Sequence, residues 1–167
     1  MKKAGKKNYT PIRALKKAAD YCVLQERCQQ EIRSKLYEWG LFGEETEQCI
    51  AELISTGFIN EERFAKAFAG GKFRIKKWGK IKIRNELKRK NISEYCINKG
   101  LREINDSDYT EALKEILLKK SKELKALPAG RQEKNMYKKM NRLASFVLQK
   151  GYESERVWNI VREMFIK

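Results

Sequence analysis

Proline occurs only at Pro11 and Pro128 of the 167 residues, and the stretch between them repeats its apolar residues every three or four positions rather than alternately. Proline removes a backbone donor and clashes inside a helix, so its absence leaves helices uninterrupted. A period near 3.6 is the mark of a helix with one buried face. The chain is therefore expected to be all-α, with no persuasive strand. Ile12, Leu15, Ala19 and Cys22 form a first stripe, Ile32, Leu36 and Trp39 a second, and Ile50, Leu53 and Ile54 a third. Phe64 and Phe68 begin a fourth helix, Ile83 and Leu87 mark a fifth, and Ile97, Leu101 and Ile104 a sixth. Tyr109, Leu113, Ile116, Leu117 and Leu124 give a long seventh helix ending near Pro128-Ala129-Gly130. Met136, Met140, Leu143 and Val147 form the eighth, and Val157, Ile160, Val161 and Met164 the ninth.

The second helix of each successive trio ends in the same way. Leu36-x-x-x-Gly40-Leu41, Leu87-x-x-x-Asn91-Ile92 and Val147-x-x-x-Gly151-Tyr152 each place a residue tolerant of left-handed backbone four positions after an apolar one, with a second apolar residue following. That is a helix stop in which the last residue folds back on the helix. Arg33 and Arg84 precede the first two copies by three residues, where the third has Ala144. The expected architecture is an elongated array of three tandem three-helix repeats, over residues 11–59, 60–105 and 106–167, after a basic flexible tail at residues 1–10. Asn60-Glu61-Glu62 and Asp106-Ser107-Asp108 read as helix starts, with carboxylates where the helix dipole favours them. The acids Glu44, Glu45 and Glu47 are read the same way rather than as ligands for a divalent ion.

The composition excludes several kinds of chemistry. There is no histidine, so the commonest general base, the Ser-His and Cys-His nucleophile pairs and the mixed zinc sites are all missing. Cys22, Cys28, Cys49 and Cys96 include no C-x-x-C pair and read as small reduced core residues. Gly70-Gly71-Lys72 fails as a phosphate loop, because Lys66 stands where the first glycine is needed and Phe73 where Ser or Thr is needed. No apolar run approaches the roughly 20 residues that cross a bilayer. A cytoplasmic, monomeric binding protein is expected, with no catalytic residues, no metal site and no cofactor.

What remains is charge. The chain carries +16, and residues 66–90 hold Lys66, Lys72, Arg74, Lys76, Lys77, Lys80, Lys82, Arg84, Lys88, Arg89 and Lys90 against the single acid Glu86, a net of +10. Such a density draws polyanions and acidic surfaces. On a helix Lys80, Arg84 and Lys88 share one face, beside the buried Ile83 and Leu87. Phe73 and Trp78 interleave with Lys72, Arg74, Lys76 and Lys77, a pattern suited to stacking bases and contacting phosphates of a single strand. The other use of these rings is in the core, and that use is favoured for Trp78. Lys2, Lys3, Lys6, Lys7, Arg13, Lys16 and Lys17 add a second basic patch near the start.

The centre of the chain resembles the RecX family, bacterial regulators of the RecA recombinase. The likeness is carried by Gly57-Phe58-Ile59-Asn60-Glu61-Glu62-Arg63-Phe64-Ala65. It continues through Phe73-Arg74-Ile75-Lys76-Lys77-Trp78-Gly79-Lys80 to Ile83-Arg84-Asn85-Glu86-Leu87-Lys88-Arg89-Lys90-Asn91-Ile92. These are similar to the family's apolar-acid-acid start, its Arg-aromatic-Ala helix and its I-x-x-E-L-x-x-K-G-I segment. Residues 27–36 resemble the family's R-x-S-x-x-E-L-x-x-K-L helix, and residues 148–152 its closing R-G-Y/F, so the likeness covers nearly everything after about residue 12. Three departures are visible. Asn60-Glu61 replaces Asp-Asp, Asn91 replaces Gly, and Cys28 stands where a capping Ser is expected.

The resemblance implies a non-catalytic protein that binds the RecA filament on single-stranded DNA and slows its ATP hydrolysis, strand exchange and extension. The contacts expected on that reading are Lys72, Arg74, Lys76, Lys77, Lys80, Arg84 and Lys88. The alternative is a free-standing nucleic-acid binder, with a helix-turn-helix at residues 81–104 offering Asn98, Lys99 and Arg102 to bases.

Overall fold

The computed structural model describes residues 9–126 and 135–166, so the basic tail and the stop at Pro128 lie outside the described residues. Among those described there are nine helices and no strand: α1 Pro11–Leu24, α2 Gln29–Glu38, α3 Glu44–Ser55, α4 Glu61–Lys76, α5 Lys80–Arg89, α6 Glu94–Arg102, α7 Asp106–Lys125, α8 Met136–Leu148 and α9 Ser154–Phe165. The all-α expectation holds. Helix α4 is longer than its Phe64 and Phe68 suggested. It runs through Gly70 and Gly71, which are interior helix residues and no part of a loop.

The starts follow from short polar side chains. Asn60 Oδ1 accepts from the Arg63 N–H at 2.8 Å ahead of Glu61 and Glu62. The start of α7 is capped one residue earlier than expected, by Asn105, whose Oδ1 accepts from Ser107 N–H at 2.8 Å and leaves Asp106 and Asp108 in the first turn. Cys28 precedes α2 without a side-chain cap, and its buried thiol is pushed up in pKa by desolvation.

All three expected stops are present, with both bonds of the Schellman turn. The N–H groups of Leu41, Ile92 and Tyr152 donate to the carbonyls of Leu36, Leu87 and Val147, five residues back, at 3.0, 3.2 and 3.4 Å. Those of Gly40, Asn91 and Gly151 donate three residues back at 3.1, 2.9 and 2.9 Å. The pivots have φ of 91°, 57° and 88°, and Leu41, Ile92 and Tyr152 are buried against the helix they close.

The chain packs as two compact units. One runs to Phe68 and resumes over Leu87–Gly100; the other comprises Ala69–Glu86 and the residues from Leu101 onward. Helices α4, α5 and α6 thus each contribute to both.

In the first unit, α1, α2 and α3 enclose a core of Ala14, Ala18, Cys22, Ile32, Leu36, Leu41, Cys49, Ile50, Leu53 and Ile59. Helix α1 turns differently from the expected stripe. It buries Ala14, Ala18 and Cys22, while Ile12 is 84% exposed and Ile54 of α3 is also out. Small side chains let the α1 backbone come close to its neighbours, and this outweighs the burial of one larger residue. Arg33 donates to both carboxylate oxygens of Glu47 at 2.8 Å, tying α2 to α3 and holding the Glu47 carboxyl below its usual pKa. Glu31 accepts from Lys90 at 2.7 Å, and Glu26 pairs with Arg63.

In the second unit α7, α8 and α9 pack mutually around Leu113, Leu117, Leu143, Val147, Val157 and Val161. Tyr109 lies fully buried at their edge, its ring 4.8 Å from that of Tyr152 and 5.7 Å from that of Phe73. Burial pushes the Tyr152 hydroxyl up to about 12 and that of Tyr109 higher still.

Candidate functional site

The turn from α4 to α5 is fixed by backbone contacts made entirely within the second unit. Gly79 N–H donates to Lys150 O at 2.7 Å and Ile81 N–H to Gly151 O at 3.0 Å. The approach is so close that a Cβ on Gly79 would lie 2.1 Å from Gly151 O, and one on Gly151 would lie 2.3 Å from the Lys82 Cβ. Only two glycines facing each other permit it. The first N–H of α5, on Lys80, donates to the Tyr109 hydroxyl at 2.9 Å, and that hydroxyl donates to Glu153 Oε2 at 2.8 Å. The opening of α5 has its own acceptors, so it is not an anion pocket of the helix-N-terminus kind.

Around this fixed turn stand the cations. Arg74 and Lys76 close α4 with exposed side chains, and their charges suit the negative end of its dipole. Lys77 follows with φ of +52°, its N–H donating to Phe73 O at 2.9 Å, in the left-handed position that ends the helix. For a side chain with no local hydrogen bond to offer, that conformation costs roughly 1–2 kcal/mol. Lys72 and Lys82 bring their ammonium groups to 5.1 and 4.7 Å from the centroid of the half-buried Trp78 ring, within cation–π range.

The nominated residues fare unequally. Lys72, Arg74, Lys76, Lys77, Lys80 and Arg84 all belong to the second unit, whereas Lys88 falls in the first, where Glu94 lies 3.3 Å away. Lys80 is engaged, 3.4 Å from Asp106 and 4.7 Å from the Tyr109 ring centroid. Asp106 also meets Arg156 at 3.1 Å, and this hydrogen bond leads the causes holding its carboxyl below the usual range. The count of +10 for residues 66–90 therefore overstates the open charge. Lys66, Lys80, Lys88 and Lys90 have Glu62, Asp106, Glu94 and Glu31 within 4 Å.

Phe73 is 7% exposed and packs on Tyr109, so it is a core ring and offers no platform for a base. Trp78 is half-buried, between the two uses foreseen for it. Sequence reasoning passed over Gly79, Tyr109 and Lys82. Gly79 did stand beside an aromatic in a turn, but nothing local shows that its partner is Gly151. Among the described residues no cluster of three or more Cys, Asp or Glu side chains is arranged to hold a metal ion, and no helix is long and apolar enough to cross a membrane.

Fold and site together define an all-α protein of short, regularly stopped helices, with much of its charge gathered at one rigid turn. A family model described as "RecX, second three-helix domain" matches residues 60–101, which contain that turn. The regulatory protein RecX of Clostridium acetobutylicum is 30% identical over 141 residues, covering 83% of this chain and 63% of that protein. The regulatory protein RecX of Prosthecochloris aestuarii is 28% identical over 152 residues, 91% of this chain and 93% of that one. The fold is shared with the crystal structure of RecX from Lactobacillus salivarius, with a TM-score of 0.76 at 18% identity over 94% of this chain and 97% of that one. The chain is thus similar to RecX regulatory proteins over most of its length and matches their second three-helix domain at residues 60–101. It spans 63% of the length of the Clostridium relative.

Proposed function

We propose that this chain regulates a RecA-type recombinase, without catalysing a reaction itself, by binding the nucleoprotein filament on single-stranded DNA and slowing ATP hydrolysis, strand exchange and extension. The contact surface on this reading is the cationic turn of the second unit, with Lys72, Arg74, Lys76, Lys77, Lys80 and Arg84; Lys88 belongs to the first unit and is left out of it. The observation that carries it is the exposure of Arg74, Lys76 and Lys77 side by side at the end of α4, on a turn that the Gly79–Gly151 contact keeps from moving. With the backbone of the turn already held, binding a regularly charged partner has only the side chains to order. We further read residues 11–59, 60–105 and 106–167 as three-helix modules, whose separate weak contacts with a repeating lattice reinforce one another through effective concentration.

The test is recombinase ATP hydrolysis on single-stranded DNA with the chain titrated in. A falling rate supports the reading, and an unchanged rate at excess sinks it. The triple variant Arg74→Ala, Lys76→Ala, Lys77→Ala should need at least about tenfold more protein for the same inhibition.

A second reading is favoured by one observation: α5 and α6 are joined by a four-residue turn, as in a helix-turn-helix, with Asn98 and Arg102 exposed on α6. Lys99 there has its ammonium 5.4 Å from the Tyr95 ring centroid. Tight, sequence-selective duplex binding in the absence of recombinase would put this reading first. Weak, sequence-indifferent binding with a steep salt dependence would dismiss it.

A further inference from the structure

We infer that Lys77 is kept in left-handed backbone for the sake of its ammonium group, which contacts a phosphodiester of single-stranded nucleic acid at the α4–α5 turn. The inference rests on the proposed function for its setting and names the ligand chemistry of that surface. Six described residues have positive φ: Gly40, Gly43, Gly57, Gly151, Asn91 and Lys77. Four are glycines, which adopt it freely, and asparagine offsets it with a short polar side chain. Lys77 alone has neither means. Glycine in its place would relieve the backbone.

Nothing inside the fold accounts for the choice of lysine. The side chain is exposed, and no carboxylate lies within 4 Å among the described residues. Its one recorded contact is the Phe73 ring, with 5.9 Å between ammonium and centroid, at the limit of cation–π range. A cation near the end of α4 does suit the helix dipole, yet Arg74 and Lys76 already supply two in the last turn. The benefit of Lys77 must therefore lie outside the folded chain.

The neighbours indicate which anion is met. Of Lys72, Arg74, Lys76, Lys77, Lys82 and Arg84, four are lysines. Lysine binds phosphate as a point charge, and several such charges at one turn suit a closely charged phosphate chain read without regard to sequence. Lys72 and Lys82 hold their charge over Trp78 and Lys77 follows α4 directly, so three ammonium groups flank one turn whose backbone is locked. A flexible single strand can thread such a turn.

The experiment uses the full chain and the variants Lys77→Gly and Lys77→Arg, with thermal unfolding and anisotropy of fluorescein-labelled oligo(dT) measured over a salt series. Lys77→Gly should raise the melting temperature by about 2–4 °C. The same variant should weaken oligo(dT) binding several-fold and lower the log-log salt slope by about 0.7, the loss of one single-strand phosphate contact. Lys77→Arg should keep wild-type values for both. Unchanged oligo(dT) binding by Lys77→Gly overturns the inference, and so does a lower melting temperature, which would make Lys77 a structural residue. Weaker inhibition of the recombinase with unchanged oligo(dT) binding would assign Lys77 to an acidic protein surface and overturns it too. Recombinase ATPase is scored separately: a wild-type chain that leaves it unchanged refutes the proposed function, while the paired gain in stability and loss of oligo(dT) affinity would still establish the role of Lys77.

Discussion

At Gly40 in the first unit and at Gly151 in the second, the backbone makes the same pair of hydrogen bonds, to carbonyls five and three residues back from the closing residue and the pivot. At Gly40 the stop receives one bond from a distant segment, Trp39 O accepting from Tyr9 N–H at 3.0 Å. The helix ends, Leu41 folds over Leu36, and the neighbouring rings of Tyr37 and Phe42 stack in the open at 5.5 Å. At Gly151 the same turn is buried and pressed against the start of α5, where its carbonyl accepts from Ile81 and the preceding carbonyl accepts from Gly79. One local motif can thus be a stop in one place and a structural joint in another. In both, the carbonyl before the pivot accepts a distant amide; at Gly151 the pivot's own carbonyl accepts another, and the two segments come within 2.1–2.3 Å of an added Cβ.

The sharpest way to break the comparison is to add a methyl group at Gly151 and, as the strain-only reference, at Gly57, the left-handed glycine that follows α3. Gly151→Ala combines left-handed strain with a Cβ forced to 2.3 Å from Lys82, and should cost about 3–5 kcal/mol in chemical denaturation. If it costs no more than the same change at Gly57, the joint does not exist. Next in size is Tyr109→Phe, which keeps the ring but leaves Lys80 N–H without its acceptor and Glu153 without its donor. A loss of about 1–3 kcal/mol is expected. Hydrogen exchange should show the Lys80 amide losing protection while those of α1–α3 keep theirs. Gly57→Ala, where φ is +77° and nothing lies within 4 Å of the added Cβ, meets only the backbone term, about 1 kcal/mol, read as a small shift in denaturation midpoint.

The smallest effect concerns charge. Asp106, near Arg156 and Lys80, has a lowered pKa, so its contribution to stability is present above the unfolded value near ~3.9 and disappears as pH falls through the folded one. Because Asp106 is 68% exposed, solvent screening holds this to within about 0.5 kcal/mol. Asp106→Asn should flatten that part of an acid titration of stability. A variant as acid-sensitive as the wild type would show the cluster to be inert.

How much of this could be read in the sequence depended on the range of the force involved. The three stops were legible because each needs only six consecutive residues, and Gly or Asn at the pivot announces it. The helix starts were nearly so, with Asn105 missed by one position because Asp106 and Ser107 are equally good caps by type. The face of α1 was misread because Ala14 and Ala18 carry little hydrophobicity of their own; what buries them is the close approach of α2 and α3. In the candidate site, the cations were legible and their state was not. The acids that neutralise Lys80 and Lys90 come from Asp106 and Glu31, far away in sequence, and the ring of Phe73 was claimed by Tyr109. Lys77 would have looked ordinary without its backbone angle.

The amide of Lys80 finds its acceptor 29 residues downstream at Tyr109, which is itself anchored a further 44 residues on at Glu153. A growing polypeptide leaves the ribosome in the opposite sense: α5 emerges well before the groups that finish its first turn exist. The α1–α3 core, whose last member is Ile59, is ready to condense while synthesis continues, whereas the cationic turn takes its final shape only once the α8–α9 junction has been made. The surface proposed to meet the recombinase is thus among the last parts of the newborn protein to become rigid.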